Sequence, residues 1–188
     1  MKKDDRLLIT STQNPRIRTL RSLQKRRGRD ESGLMVIEGI REVRRALSSG
    51  IVPVEAYVCT AVADAADGRA DHENKESLQE LTEGLLGLGT DIHEVNTHVY
   101  GKIAYRETSE GVIVVATRPA TSIDALEATG TPLILVVDGI EKPGNLGAII
   151  RTADGAGVTG IIVCGGVDAY SPNVIRASVG TVFAIGIA

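Results

Sequence analysis

The sequence predicts an α/β protein in two parts: a small N-terminal α/β domain over residues 1–117 and, after a linker at 118–130, the opening βαβ portion of a parallel-sheet domain over 131–188. Three observations carry this. Leu133–Cys164 reads strand, turn, helix, strand, and two strands joined by a helix lie parallel. Upstream, short β-branched runs alternate with segments of helical period. Charge is divided as well: residues 1–50 hold 13 Lys/Arg against 6 Asp/Glu, leaving 8 against 18 in the rest of a chain whose net charge is −3. Such asymmetry points to a polyanionic partner at the N-terminal end.

Asn14-Pro15 starts the first helix, with proline at or near its first position. Ile17, Leu20 and Leu23 supply a thin apolar stripe, and Arg16, Arg18, Arg21, Lys25, Arg26, Arg27 and Arg29 make the rest basic. No acid lies between Arg6 and Asp30, so the helix forgoes i,i+4 pairing, which favours phosphate contact over a merely solvated face. Lys25–Arg29 is expected to end this helix in a mobile turn. Leu34–Ile37 reads as a strand, Glu38–Ser48 as a helix stopped by Gly50, and Val52–Thr60 as a strand. The Glu38 carboxylate is expected to satisfy amides at the start of its helix. Ala61–Lys75 reads as a loop with a fraying helix, Ser77–Leu86 as a helix, Asp91–Val95 as a strand, Thr97–Ile103 as a short helix and Gly111–Ala116 as a strand. In the loop before that last strand, Arg106 suits either a phosphate or an ion pair with Glu107.

Ile123–Ala128 makes a short helical approach to the second part. Leu133–Asp138 is nearly all apolar and β-branched, the composition of a strand buried on both faces. A Gly/Pro turn, Gly139–Gly144, precedes a helix in which Leu146, Ile149, Ile150 and Ala153 form one face. Asn145 is placed to cap it. Arg151 lies off that face, four residues beyond Gly147, and helical side chains lean toward the N-terminus. Its guanidinium then sits near the helix start, at the carboxyl end of the strand where open α/β sheets bind ligands; a surface arginine fits the spacing equally. Ile161–Cys164 is the second strand, Asn173–Ser178 a helical turn and Val182–Ile187 a third strand. Gly155–Gly160 fits G-x-G-x-x-G in letters, but it leaves a helix and enters a strand, the reverse of a dinucleotide fingerprint.

No apolar run approaches the ~20 residues of a membrane span, and the N-terminus lacks a signal-peptide core. Cys59 and Cys164 lie in strand-like apolar runs and are expected to be buried thiols; with His72, His93 and His98 they form no ligand spacing. The chain is expected to be cytoplasmic and free of metal.

The run Asn145–Ala153, N-L-G-A-I-I-R-T-A, resembles the first motif of the SpoU (TrmH-like) branch of the SPOUT RNA methyltransferases. Arg176–Gly180, R-A-S-V-G, resembles that family's downstream R-A-S-x-G segment, and Ser11–Pro15 with Val36–Gly39 resemble its appended RNA-binding domain. The resemblance implies a ribosomal-protein-like RNA-binding domain joined to a SPOUT (α/β-knot) domain, and methyl transfer from S-adenosylmethionine to a ribose 2′-hydroxyl of rRNA or tRNA. It implies Arg151 as the catalytic arginine with Asn145 beside it, and Arg176 and Ser178 on the substrate side, Ser178 serving equally as a helix cap. It further implies a homodimer with a trefoil knot and cofactor-binding loops beyond Ala188, so the chain reads as lacking the family's C-terminal third and as inactive alone. In relatives a Gln often precedes the glycine at Gly111; Glu110 stands there instead. RNA contacts are expected from Arg16, Arg18, Lys25, Arg26, Arg27, Arg29 and Arg106. The competing class is a non-catalytic RNA-binding protein with an incomplete methyltransferase core.

Overall fold

The computed structural model describes residues 8–64, 71–105, 109–126 and 131–188. The elements run α1 Pro15–Ser22, α2 Arg26–Ser32, β1 Leu34–Glu38, α3 Ile40–Ser48, β2 Pro53–Val58, α4 Thr60–Asp64, α5 Asp71–Gly87, β3 Asp91–Glu94, α6 Thr97–Ile103, β4 Val112–Thr117, β5 Ile134–Asp138, α7 Pro143–Gly155, β6 Gly160–Cys164, α8 Pro172–Ala177 and β7 Gly186–Ile187, with 3-10 turns at Ile123–Ala125 and Thr181–Phe183. They group into two compact units: the residues up to Ile40 with Val52–Ala116, and Arg41–Ile51 with Thr117–Ala188. A cut at one point in the sequence does not describe this, because residues 41–51 leave the first stretch and join the second unit.

The first unit is a four-stranded sheet of order β1-β4-β2-β3. β2 pairs parallel with β3, Glu55–Val58 against Asp91–Glu94, and antiparallel with β4. Its apolar core gathers Ile17, Leu20 and Leu23 from the α1 region with Val36, Tyr57, Tyr100, Ile103 and Ile113. The three-residue stripe read from the sequence is thus the face that α1 buries. Asn14 accepts from the Arg16 amide at 2.9 Å and Pro15 follows at the first helical position. Lys25–Arg29 departs from expectation. It opens α2 rather than a mobile turn, because acids one turn on, Asp30 and Glu31, pair with Arg26 and Arg27 at 3.6 and 2.6 Å.

The second unit carries a three-stranded parallel sheet of order β5-β6-β7. Register runs from Ile134 opposite Gly160 to Asp138 opposite Cys164. β5 is not buried on both faces. It lies at the edge of this order, and Val136 is 60% exposed. The expected third strand shortens to Gly186–Ile187, since Thr181–Phe183 coils into a 3-10 turn. Cys164 is exposed at the carboxyl end of β6, against the expectation of a buried thiol. Cys59 is buried, and burial pushes its thiol pKa up.

Candidate functional site

The two segments that carry the resemblance meet where α7 crosses α8. A Cβ added at Gly147 would lie 2.5 Å from the Ala177 Cβ and 2.7 Å from the Ser178 nitrogen, so only glycine permits this approach. Leu146, Ile150 and Ala153 are buried on the same helix, while Ile149 is only half-buried. Arg151, one turn beyond Gly147, is exposed, and its Nη1 donates to the Ala177 carbonyl. The open space above Gly147 that sequence suggested for this side chain is therefore filled by α8, and the guanidinium docks on the end of that helix.

The chain after Ala177 turns sharply. The Gly180 amide donates to the Ile175 carbonyl and the Val179 amide to that of Arg176, both at 2.9 Å. This is the paired bonding of a Schellman motif, in which glycine is the usual residue at the position Val179 holds. Val179 has φ +59°, the single non-glycine residue with positive φ among the described residues. For a β-branched residue that conformation costs about 1–2 kcal/mol. Ser178 is buried and its Oγ donates to the Ile175 carbonyl at 2.9 Å. Of the two roles open to it, this bond is the helix-end one. Arg45 donates from Nη1 to the Val179 carbonyl at 2.7 Å.

Two other expected residues stand apart. Asn145 does not cap α7. Proline fixes the first helical φ at Pro143, so the helix starts three residues earlier than a cap at Asn145 would have it, with Lys142 as cap residue, and Asn145 is an exposed first-turn side chain. Arg176 is exposed and donates to Asn173 Oδ1 at 3.2 Å.

In the first unit the basic residues sort by partner. Arg16 is tied to Glu55 at 2.6 Å, the carboxylate that also accepts from the Tyr57 hydroxyl at 2.6 Å. Arg26 and Arg27 hold their i,i+4 acids. Arg29 is 2% exposed and donates to the carbonyls of Leu23 and Gln24, at 2.8 and 3.0 Å, so it locks the α1–α2 turn and is corrected from RNA contact to structure. Arg106 lies outside the described residues. Arg18, Arg21 and Lys25 remain, lining a groove of about 440 Å³ between α1 and α2. No acid pairs with these three among the described residues. Arg21 was missing from the residues expected to touch RNA, although spacings of three and four residues put 18, 21 and 25 on one helical face. Gly28 closes the groove, because a Cβ there would sit 2.3 Å from the Ser22 carbonyl oxygen.

The role read from sequence for Glu38 falls to another carboxylate. Glu110 Oε2, not Glu38, accepts from the Ile40 amide that opens α3, at 2.6 Å. Glu38 is buried and accepts from the Tyr105 amide at 2.7 Å and the Ser109 hydroxyl at 2.8 Å. It thereby holds Tyr105 and Ser109 to the end of β1. Ser109 also bonds the Tyr100 hydroxyl at 2.6 Å, and burial pushes that phenol's pKa up. Glu110→Ala should cost about 1 kcal/mol by removing this helix-start acceptor. Hydrogen exchange at the Ile40 amide, compared with exchange at the centre of β4, measures it.

A hollow of about 340 Å³ beside β7 is lined by Tyr170, Phe183, Pro119, Ala120 and Ile185. Tyr170 stacks on Phe183 with ring centroids 6.3 Å apart, and burial pushes its hydroxyl up to about 12. Among the described residues, no charged side chain lines this hollow.

Comparison with known proteins covers both units. The MRM3-like substrate binding domain matches residues 14–114, and the SpoU rRNA Methylase family matches residues 132–188. An uncharacterized tRNA/rRNA methyltransferase of Synechocystis sp. is 32% identical over 177 residues, covering 92% of this chain and 58% of that protein. A crystal structure of an RNA 2′-O ribose methyltransferase superposes with TM-score 0.76 at 38% identity, covering 96% of this chain and 64% of that one. The AdoMet-bound rRNA methyltransferase of Sinorhizobium meliloti superposes with TM-score 0.79 at 28% identity, covering 97% and 64%. The chain thus spans about six tenths of the length of these relatives.

Proposed function

Because the chain belongs to the SpoU rRNA methylase family and carries an MRM3-like substrate-binding domain, we propose that it serves methyl transfer from S-adenosylmethionine to a ribose 2′-hydroxyl of RNA, rRNA foremost and tRNA as the second candidate, within a homodimer. The observation that carries this reading is the docking of Arg151 on Ala177, which joins two motifs 26 residues apart in sequence. A guanidinium does not accept a proton near neutral pH. It can donate, and with Nη1 on Ala177 its remaining N–H groups suit a phosphate fork and the 2′-alkoxide left once the hydroxyl has given its proton to solvent. Asn145, exposed in the first turn of the same helix, is the second polar group offered to the substrate, and Arg176 the second cation.

The described residues supply a substrate side. The donor's methyl sulfonium is the electrophile when bound; among the described residues no charged side chain lines the hollow beside β7 to meet the donor's amino-acid end, and no residue here is assigned to the donor. The test is transfer of labelled methyl from S-adenosylmethionine to rRNA by the natural full-length protein, followed by digestion to nucleosides. Label in 2′-O-methylnucleosides supports the reading, and label on bases alone rejects it. Salt-sensitive RNA binding without any transfer would favour the non-catalytic binding protein instead.

RNA binding is proposed to centre on Arg18, Arg21 and Lys25. Changing all three to alanine should weaken RNA binding and flatten its salt dependence by about two to three counterions, since each lost phosphate contact lowers the slope by about 0.7–0.9. The same change at Arg26 and Arg27, whose charges are met within α2, should do less. Binding titrations at several salt concentrations separate the two sets.

A further inference from the structure

We infer that Arg45 is a positioning residue of the second unit: by holding the Val179 carbonyl, it keeps the turn after α8 in the left-handed shape that presents the Ala177 carbonyl to Arg151. The inference rests on the reading of Arg151 as the substrate-side group of ribose methylation.

The backbone bonds of the turn show what Arg45 contributes. The Ile175 carbonyl accepts from the Gly180 amide and the Ser178 hydroxyl, that of Arg176 from the Val179 amide, and that of Ser178 from the Thr181 amide and hydroxyl. Two carbonyls in the run have no backbone donor among these bonds, those of Ala177 and Val179. Each is held by an arginine, Arg151 from α7 and Arg45 from α3. These carbonyls bracket Ser178 and Val179, so the left-handed backbone of Val179 helps set one relative to the other. Val179 meanwhile occupies a conformation that its branched side chain resists, and such a turn persists only when its surroundings hold it.

Packing repeats the arrangement. Gly180, at φ +80°, lies so near α3 that a Cβ there would be 3.2 Å from the Arg45 Cβ and 3.3 Å from the Glu42 Cα. The α7 side is closed by Gly147 in the same manner. The turn is therefore clamped between two helices, with a glycine contact and an arginine–carbonyl bond on each side. Residues 41–51 fall in the second compact unit, although the substrate-binding match contains them.

The test, on the natural full-length protein, compares the wild type with Arg45→Ala, Val179→Gly and the double variant. Arg45→Ala should speed exchange of the Val179 and Gly180 amides about ten-fold, the scale of one lost charge-assisted bond. It should also broaden the Arg151 guanidinium NMR signals and lower kcat for RNA methylation without changing KM for RNA. Val179→Gly removes the strain that Arg45 offsets, so the double variant should recover the exchange protection, the Arg151 signals and kcat. Unchanged exchange and Arg151 signals in Arg45→Ala would overturn the inference, as would a loss that persists in full in the double variant. A wild-type protein that transfers no methyl group, yet shows the expected exchange and NMR pattern, would refute the proposed activity and leave the positioning of Arg151 by Arg45 standing.

Discussion

Arg151→Ala should lower single-turnover ribose methylation by about 10²–10³-fold, the size of the loss on removing one donor to a reacting oxyanion, here the 2′-alkoxide that Arg151 stabilises before attack. Arg151→Lys should recover little of this. Lysine keeps the charge but has no planar fork, so it cannot hold the Ala177 carbonyl with one nitrogen and present the others to a phosphate. Rapid-quench assays on the two variants at saturating RNA decide the matter, and near-normal turnover by Arg151→Lys would refute the fork argument. RNA affinity should change far less than rate, because the free cations Arg18, Arg21 and Lys25 lie in the first unit.

Gly147→Ala should destabilise the second unit by about 3 kcal/mol, at the upper end for overpacking. The added methyl would meet the Ala177 Cβ at 2.5 Å and its carbonyl carbon at 2.6 Å. Backbone cannot swing aside as a long side chain can, so α8 must move and take the Arg151 contact with it. Gly144→Ala on the same helix is the control, because nothing lies within 4 Å of its added Cβ. Thermal unfolding should separate the two variants clearly. Equal stability would mean that the α7–α8 crossing yields more easily than its distances imply.

Local rules made most of the fold legible. Asn14-Pro15 marks a helix start, Ile17, Leu20 and Leu23 mark its buried face, and the run from Ile134 to Cys164 marks a parallel βαβ unit. What failed depended on partners distant in sequence. Glu38 and Glu110 are both plausible acceptors for a helix start, and only the fold puts Glu110, 70 residues away, against the Ile40 amide. Arg29 looks like its basic neighbours in sequence, and only its burial under the α1–α2 turn removes it from the surface. The strand composition of Leu133–Asp138 says nothing about how many neighbours it has, and here it is an edge. In the site, Arg151 and the Arg176–Gly180 segment were legible through resemblance. Arg45 was not, because an arginine on a helix carries no sign of a bond to Val179, 134 residues on.

The burial of Arg29 bears on the time course of RNA capture. With its guanidinium fixed to two carbonyls and Gly28 seated against Ser22, α1 and α2 hold one geometry before any ligand arrives. The entropy of ordering a basic arm is then spent during folding and not during encounter. A cationic surface that is already shaped gathers its polyanion by long-range attraction, in a single step limited by approach and orientation. Added salt should consequently slow arrival more than it hastens departure, with no lag of the kind that a segment folding onto RNA would introduce.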